Sequence, residues 1–120
     1  EMCIRDRSFS YDVNGLSSTY LSPRFKIIVM CNGGGGIFRF IKPTSDLPEL
    51  ETCFEIHRDI SVEKYADLFG LRYFELNDEK SAAEVLSLFF AEKDRPAILA
   101  VHTPNVYNAE VLRGYFRRSR

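Results

Sequence analysis

Asn32 followed by Gly33, Gly34, Gly35 and Gly36 is the stretch of this chain best suited to chemistry. Consecutive glycines cost backbone entropy on folding, and an ordinary surface turn does not need four of them. A backbone that must come close to a phosphate or a metal does. The side-chain oxygen of Asn32 and the loop carbonyls are hard-oxygen donors. They suit Mg²⁺, which takes one or two protein carboxylates together with water and phosphate oxygens. A carboxylate should therefore arrive from the end of another strand, and Asp6 and Asp12 are the upstream candidates. Two familiar phosphate motifs are absent. Gly36 is followed by Ile37, Phe38 and Arg39, so the GK[ST] of a P-loop is missing. A GxGxxG counted from Gly33 and Gly35 would need glycine where Phe38 stands.

Such a loop has to be held by regular elements. Phe25 to Cys31 is β-branched or apolar at nearly every position, which suits a strand buried on both faces. Ser61 is placed to N-cap a helix carrying Val62, Tyr65, Ala66, Leu68 and Phe69, with Gly70 to end it. Leu71 to Leu76 reads as a second strand. Ser81 to Glu84 has the form of a capping box, opening a helix with Val85, Leu86, Phe89 and Phe90 on one stripe. Pro96 to Val101 reads as a third strand. Asn105 or Asn108 is placed to cap a last helix, with Val111, Leu112, Tyr115 and Phe116 on one face. Pro43 to Glu51, polar and with two prolines, reads as a loop. Strands alternating with helices predict an α/β fold: a three-layer arrangement of parallel sheet and flanking helices. In such sheets ligands bind beyond the carboxyl ends of the strands, where Asn32 and the glycines stand. Three strands leave two open edges, which points to part of a larger domain.

Composition narrows the class. The chain has 120 residues, 45% of them hydrophobic and 28% charged, which excludes a disordered, collagen-like or coiled-coil protein. A formal net charge of −1 gives no global pull toward nucleic acid or an anionic membrane. Cys3, Cys31 and Cys53 form no CxxC pair and read as reduced thiols of a cytoplasmic protein. The apolar run at Phe25 to Cys31 is far short of the roughly 20 residues that span a bilayer. Arg113, Arg117, Arg118 and Arg120 read as a solvated helix end, where the helix dipole favours cations. His57 and His102 read as ordinary polar histidines, although His102 stands at a strand's carboxyl end without an identifiable partner. Tyr73, Phe74, Phe89 and Phe90 read as core. Asp12 and Asn14 read as turn or helix-packing residues.

Two segments together carry a family resemblance. Ser8-Phe9-Ser10-Tyr11-Asp12-Val13-Asn14-Gly15-Leu16, and then Asn32-Gly33-Gly34-Gly35-Gly36-Ile37-Phe38, resemble the thiamine-diphosphate motif of the SEPHCHC synthases of menaquinone biosynthesis. In that family the motif opens Gly-Asp-x-Ser-Phe, passes through Tyr-Asp-x-Asn-Gly-Leu and closes on Asn-Asn-x-Gly-Gly-Gly-Ile-Phe. The resemblance covers about residues 8–120 and implies the C-terminal part of a thiamine-diphosphate-binding domain. It implies that Asn32 binds Mg²⁺ through its side-chain oxygen and Gly34 through its carbonyl. Asp6, two residues before Ser8, would be the metal carboxylate. Ser8, Asn32, Gly34, Gly35, Ile37 and Phe38 would meet thiamine diphosphate. The implied reaction decarboxylates 2-oxoglutarate and adds the remaining succinyl unit to isochorismate, with the chemistry carried by the cofactor. No residue of this chain takes a catalytic role in that scheme, because the activating glutamate and most substrate-binding basic residues lie elsewhere in the family chain. A homodimer or homotetramer is implied for the full-length enzyme, and no turnover for this piece alone.

The chain departs from the motif at Arg5, where the family has glycine, and at Cys31, where it has the first Asn. Cys31 precedes the ligand position and is expected to pack rather than bind metal. Residues 1–7 also look like a translated sequencing adapter, which would make that segment non-native and place Asp6 at the ligand position by coincidence. Two other readings fit the residues: a sibling lyase or synthase of the acetolactate-synthase kind with another 2-oxo acid donor, and a non-catalytic α/β module whose glycine loop holds an anion.

Overall fold

In this computed structural model the described residues are 2–34, 46–49 and 60–118, with the side chains of 105, 106 and 118 left aside. Gly35, Ile37, Phe38, Cys53, His57 and, of the loop expected from Pro43 to Glu51, residues 43–45 and 50–51 lie outside them.

Four strands form one sheet: β1 (Met2–Arg5), β2 (Lys26–Cys31), β3 (Arg72–Leu76) and β4 (Ala97–His102). Their order is β1-β2-β4-β3, and every pairing is parallel. The expected α/β class is therefore the observed one. The strand number differs by one. Sequence reading finds three strands, and Met2–Arg5 adds the fourth by pairing Met2 with Ile27 through Arg5 with Met30. β1 escapes a pattern search because it is short, carries a single β-branched residue and is mostly exposed. Its pairing with β2, not its own composition, makes it a strand.

Alternate residues of β2 and β4 face opposite layers, as the strand period of two requires. Ile27, Val29, Ile98 and Ala100 pack with Phe9, Val13 and Leu16, and with Val62, Ala66 and Leu71. These come from α1 (Asp6–Asp12), the 3₁₀ turn Val13–Ser17 and α2 (Val62–Phe69) with its exit. On the other face Ala97, Leu99 and Ile28 pack with Phe89, Val85 and Leu86 of α3 (Ala82–Ala91). The molecule thus has the expected three layers. Lys26, the one charge within the β2 run, is also buried. Its ammonium donates 2.7 Å to the Glu92 carbonyl at the end of α3 and lies 5.7 Å from the Phe89 ring centroid.

The helix ends test the local signals one by one. Ser61 Oγ accepts from the Lys64 backbone N–H at 3.3 Å, as an N-cap should. Gly70, at φ 70°, ends α2, and the Leu71 N–H donates 2.8 Å back to the Ala66 carbonyl. The capping box at Ser81 does not form. Ser81 is already helical (φ −85°, ψ −4°), and its hydroxyl turns to Asp78 instead. Asp78 Oδ1 accepts from the Ser81 N–H at 3.0 Å. In α4 (Asn105–Arg118), Asn105 is the first helical residue rather than a flanking cap. Asn108 lies inside the helix and donates its side-chain amide 2.9 Å to Thr103 Oγ1. Phe90, expected in the core, is 45% exposed, while Phe89 beside it is fully buried. Adjacent helix positions point about 100° apart, so a stripe two residues wide has an inner and an outer member.

Candidate functional site

The loop expected to do chemistry begins at the carboxyl end of β2, between its neighbours β1 and β4. The β2–β4 ladder runs one bond past the strand, with the Thr103 N–H donating 3.0 Å to the Cys31 carbonyl. Beyond it the chain turns sharply. Gly33 has φ 76° and Gly34 φ 144°, both in the region where a side chain would be strained. Gly34 is buried.

Asp6 follows the last residue of β1 directly. It is only 4% exposed and lies across from the loop. One carboxylate oxygen, Oδ2, accepts from the Gly33 N–H at 2.8 Å and from the Asn32 N–H at 3.1 Å. The other, Oδ1, accepts from the N–H of Arg7 at 2.7 Å. The two upstream carboxylates are thereby separated: Asp6 meets Asn32, and Asp12 stands exposed at the far end of α1. Parallel pairing of β1 with β2 puts Asp6 level with the start of the loop, which no spacing rule in the sequence could show. Arg5 has extended backbone, φ −85° and ψ 153°, so the residue in place of the family glycine adopts a conformation open to any side chain.

Asn32 presents the most telling atom. Its side-chain oxygen Oδ1 is buried and has no hydrogen-bond partner, alone in this among the described residues. A buried acceptor left unpaired costs about 1–3 kcal/mol, so its persistence invites a ligand. A cation fits, since the atoms nearby that can donate electrons are an amide oxygen, a carboxylate and backbone carbonyls. Among the described residues no cluster of three or more His, Cys, Asp or Glu side chains could hold a metal. Any metal here would draw on the Asp6 carboxylate together with amide and backbone oxygens.

Cys31 packs, as expected of the residue before the ligand. It is half-buried, and its Sγ lies 3.6 Å from the Val29 carbonyl. Burial, and then the negative charges of Asp6 and Glu75, push its thiol up to about 11. Ser8 is exposed on α1, two residues beyond Asp6 and so on a different face of the helix. His102, at the carboxyl end of β4, does have a partner. Its Nε2 lies 3.1 Å from Glu75 Oε1 on β3, and that oxygen also accepts from Tyr73 Oη at 3.2 Å. Burial, together with Glu75, raises the Tyr73 hydroxyl well above its usual value. Glu75 is a partner that the sequence does not single out. The signal was its position two residues after Tyr73 on a strand, which puts both on one face.

No family model matches the chain. Individual proteins do. It is 47% identical over 111 residues to the 2-succinyl-5-enolpyruvyl-6-hydroxy-3-cyclohexene-1-carboxylate synthase of Porphyromonas gingivalis, covering 92% of this chain. The synthases of the same name from Flavobacterium johnsoniae and Christiangramia forsetii are 38% and 35% identical, over 93% and 92% of this chain. The chain belongs to this synthase family. It spans 19%, 20% and 19% of the length of those three relatives, so a synthase of the family is about five times as long. No helix among the described residues is long and apolar enough to cross a membrane.

Proposed function

We propose that this chain forms the metal- and diphosphate-holding part of a thiamine-diphosphate- and Mg²⁺-dependent synthase of menaquinone biosynthesis. The whole enzyme, a cytoplasmic homodimer or homotetramer, would join 2-oxoglutarate to isochorismate with loss of CO₂. One observation carries the reading: the unpaired, buried Asn32 Oδ1 stands at the loop that Asp6 grips, in a chain 47% identical to a synthase of that name.

The donor set fits Mg²⁺. Asn32 would hold it through Oδ1, Gly34 through its carbonyl and Asp6 through its carboxylate, all hard oxygens. Ser8, Gly35, Ile37 and Phe38 would meet the cofactor. Thiamine diphosphate, when bound, supplies the decarboxylation of the 2-oxo acid and the transfer of what remains. The chain's own contribution is to hold and orient. The left-handed glycines let backbone come close to a charged group. The buried Asp6 brings one negative charge to the cation, and the Asn32 amide adds a neutral ligand. Neither the group that activates the cofactor nor the cations that receive substrate carboxylates is assigned to this chain.

Calorimetry on the chain joined to the remainder of its synthase tests the reading. Mg²⁺-dependent binding of thiamine diphosphate is expected, and Asn32→Ala should abolish it. Undiminished binding in that variant would sink the assignment. The 120-residue chain alone is expected to show no turnover, and measurable CO₂ release from 2-oxoglutarate with both cofactors present would refute that.

A further inference from the structure

Gly33 and Gly34 leave the start of the loop with more accessible backbone states than any other residue type would. Something outside the loop must select one of those states. Among the described residues Asp6 holds the loop's first two N–H groups. Its Oδ2 accepts both the Asn32 and Gly33 N–H groups, at 3.1 and 2.8 Å, across 26 and 27 residues of chain. The Arg7 N–H on Oδ1 turns the carboxyl plane toward the loop. Hydrogen bonds to an ionised acceptor are roughly twice as strong as neutral ones, and this acceptor is buried.

We propose that Asp6 is a positioning residue that latches the Asn32–Gly33 turn in the absence of any metal and so presents Asn32 Oδ1 in advance. This rests on the reading of Asn32 as a metal ligand and on Asp6 belonging to the synthase rather than to an adapter, but the latch itself is a property of the metal-free chain. The two duties fall on different features of one side chain. Latching needs an acceptor oxygen at the Oδ2 position. Drawing in a cation needs the negative charge.

Two substitutions separate them. Asp6→Asn keeps an acceptor oxygen and removes the charge, while Asp6→Ala removes both. Amide hydrogen exchange is read by NMR on the metal-free 120-residue chain, with Leu99 and Ala100 of β4 as internal references for global opening. Asp6→Ala should speed exchange at Asn32 and Gly33 by tenfold or more and leave Leu99 and Ala100 unchanged. Asp6→Asn should restore most of the protection at Asn32 and Gly33. Mg²⁺ binding, followed by titration on the same samples, should fall in both variants. Unchanged exchange in Asp6→Ala overturns the latch, and so does loss of protection spread equally over β4. Failure of Mg²⁺ to bind the unsubstituted chain bears on the metal reading alone and leaves the exchange result to judge the latch.

Discussion

Cys31 shows how closely the residues at the end of β2 are coupled to their surroundings. Its thiol lies beside the two carboxylates that flank this edge of the sheet, Asp6 and Glu75, and is half-buried among apolar neighbours. All three effects disfavour the thiolate. A rise from 9.0 to about 11 lowers the thiolate fraction at neutral pH about a hundredfold. In a Cys53→Ser background, iodoacetamide at pH 7.5 should therefore label the exposed Cys3 well before Cys31, as mass spectrometry of the peptides would show. Labelling of both at one rate would contradict the burial. The sign for stability follows from the same shift. The unfolded chain ionises this thiol first, so its contribution is intact below pH 9.0 and is lost as pH rises toward about 11.

At the scale of elements, the ends of α2 and α3 make opposite predictions for two serines that look alike in sequence. Ser61 caps α2 through its own hydroxyl. Ser61→Ala should cost about 1 kcal/mol in urea unfolding. Ser81 is helical and caps nothing, so Ser81→Ala should fall within about 0.5 kcal/mol of the parent. The capping role has passed to Asp78, and Asp78→Ala should cost about 1 kcal/mol. Equal losses for the two serines would show that the capping box forms after all. The α3 start departs from the pattern because S-x-x-E at Ser81 to Glu84 satisfies the capping-box form, while Asp78, three residues earlier, offers a charged acceptor. Pattern alone does not rank two competing caps. At Ser61 the pattern and the structure agree.

In the molecule as a whole, neither outer strand of the sheet has a further strand beside it among the described residues, and several large apolar side chains are exposed. β1 and β3 are the outer strands. Leu88, Phe90, Tyr107 and Val111 are 56%, 45%, 63% and 53% exposed. Open edges and apolar surface of this kind favour association. The isolated chain should therefore self-associate with rising concentration in sedimentation velocity. Phe90→Lys together with Leu88→Lys, on the two exposed flanks of α3, should shift it toward monomer without loss of the circular dichroism of the fold. A chain that stays monomeric throughout, with these side chains unaltered, would contradict the prediction.

The sequence alone determined the elements whose signals are local and unopposed: the apolar run of β2, the Ser61 cap, the Gly70 stop and the strand–helix alternation that makes the class α/β. It also singled out Asn32 and the glycines, because residue type limits which ligands and which backbone angles are possible. What needed tertiary structure was every fact that depends on pairing across the chain. Met2–Arg5 is a strand because β2 lies beside it. Asp6 rather than Asp12 reaches the loop because parallel register, which pairs Arg5 with Met30, sets it opposite Cys31 and within reach of the Asn32 N–H, 26 residues away. His102 finds Glu75 because β3 and β4 are neighbours in the sheet. Local propensity acts within a few residues, whereas a site at strand ends is assembled by hydrogen-bond register between segments far apart in sequence.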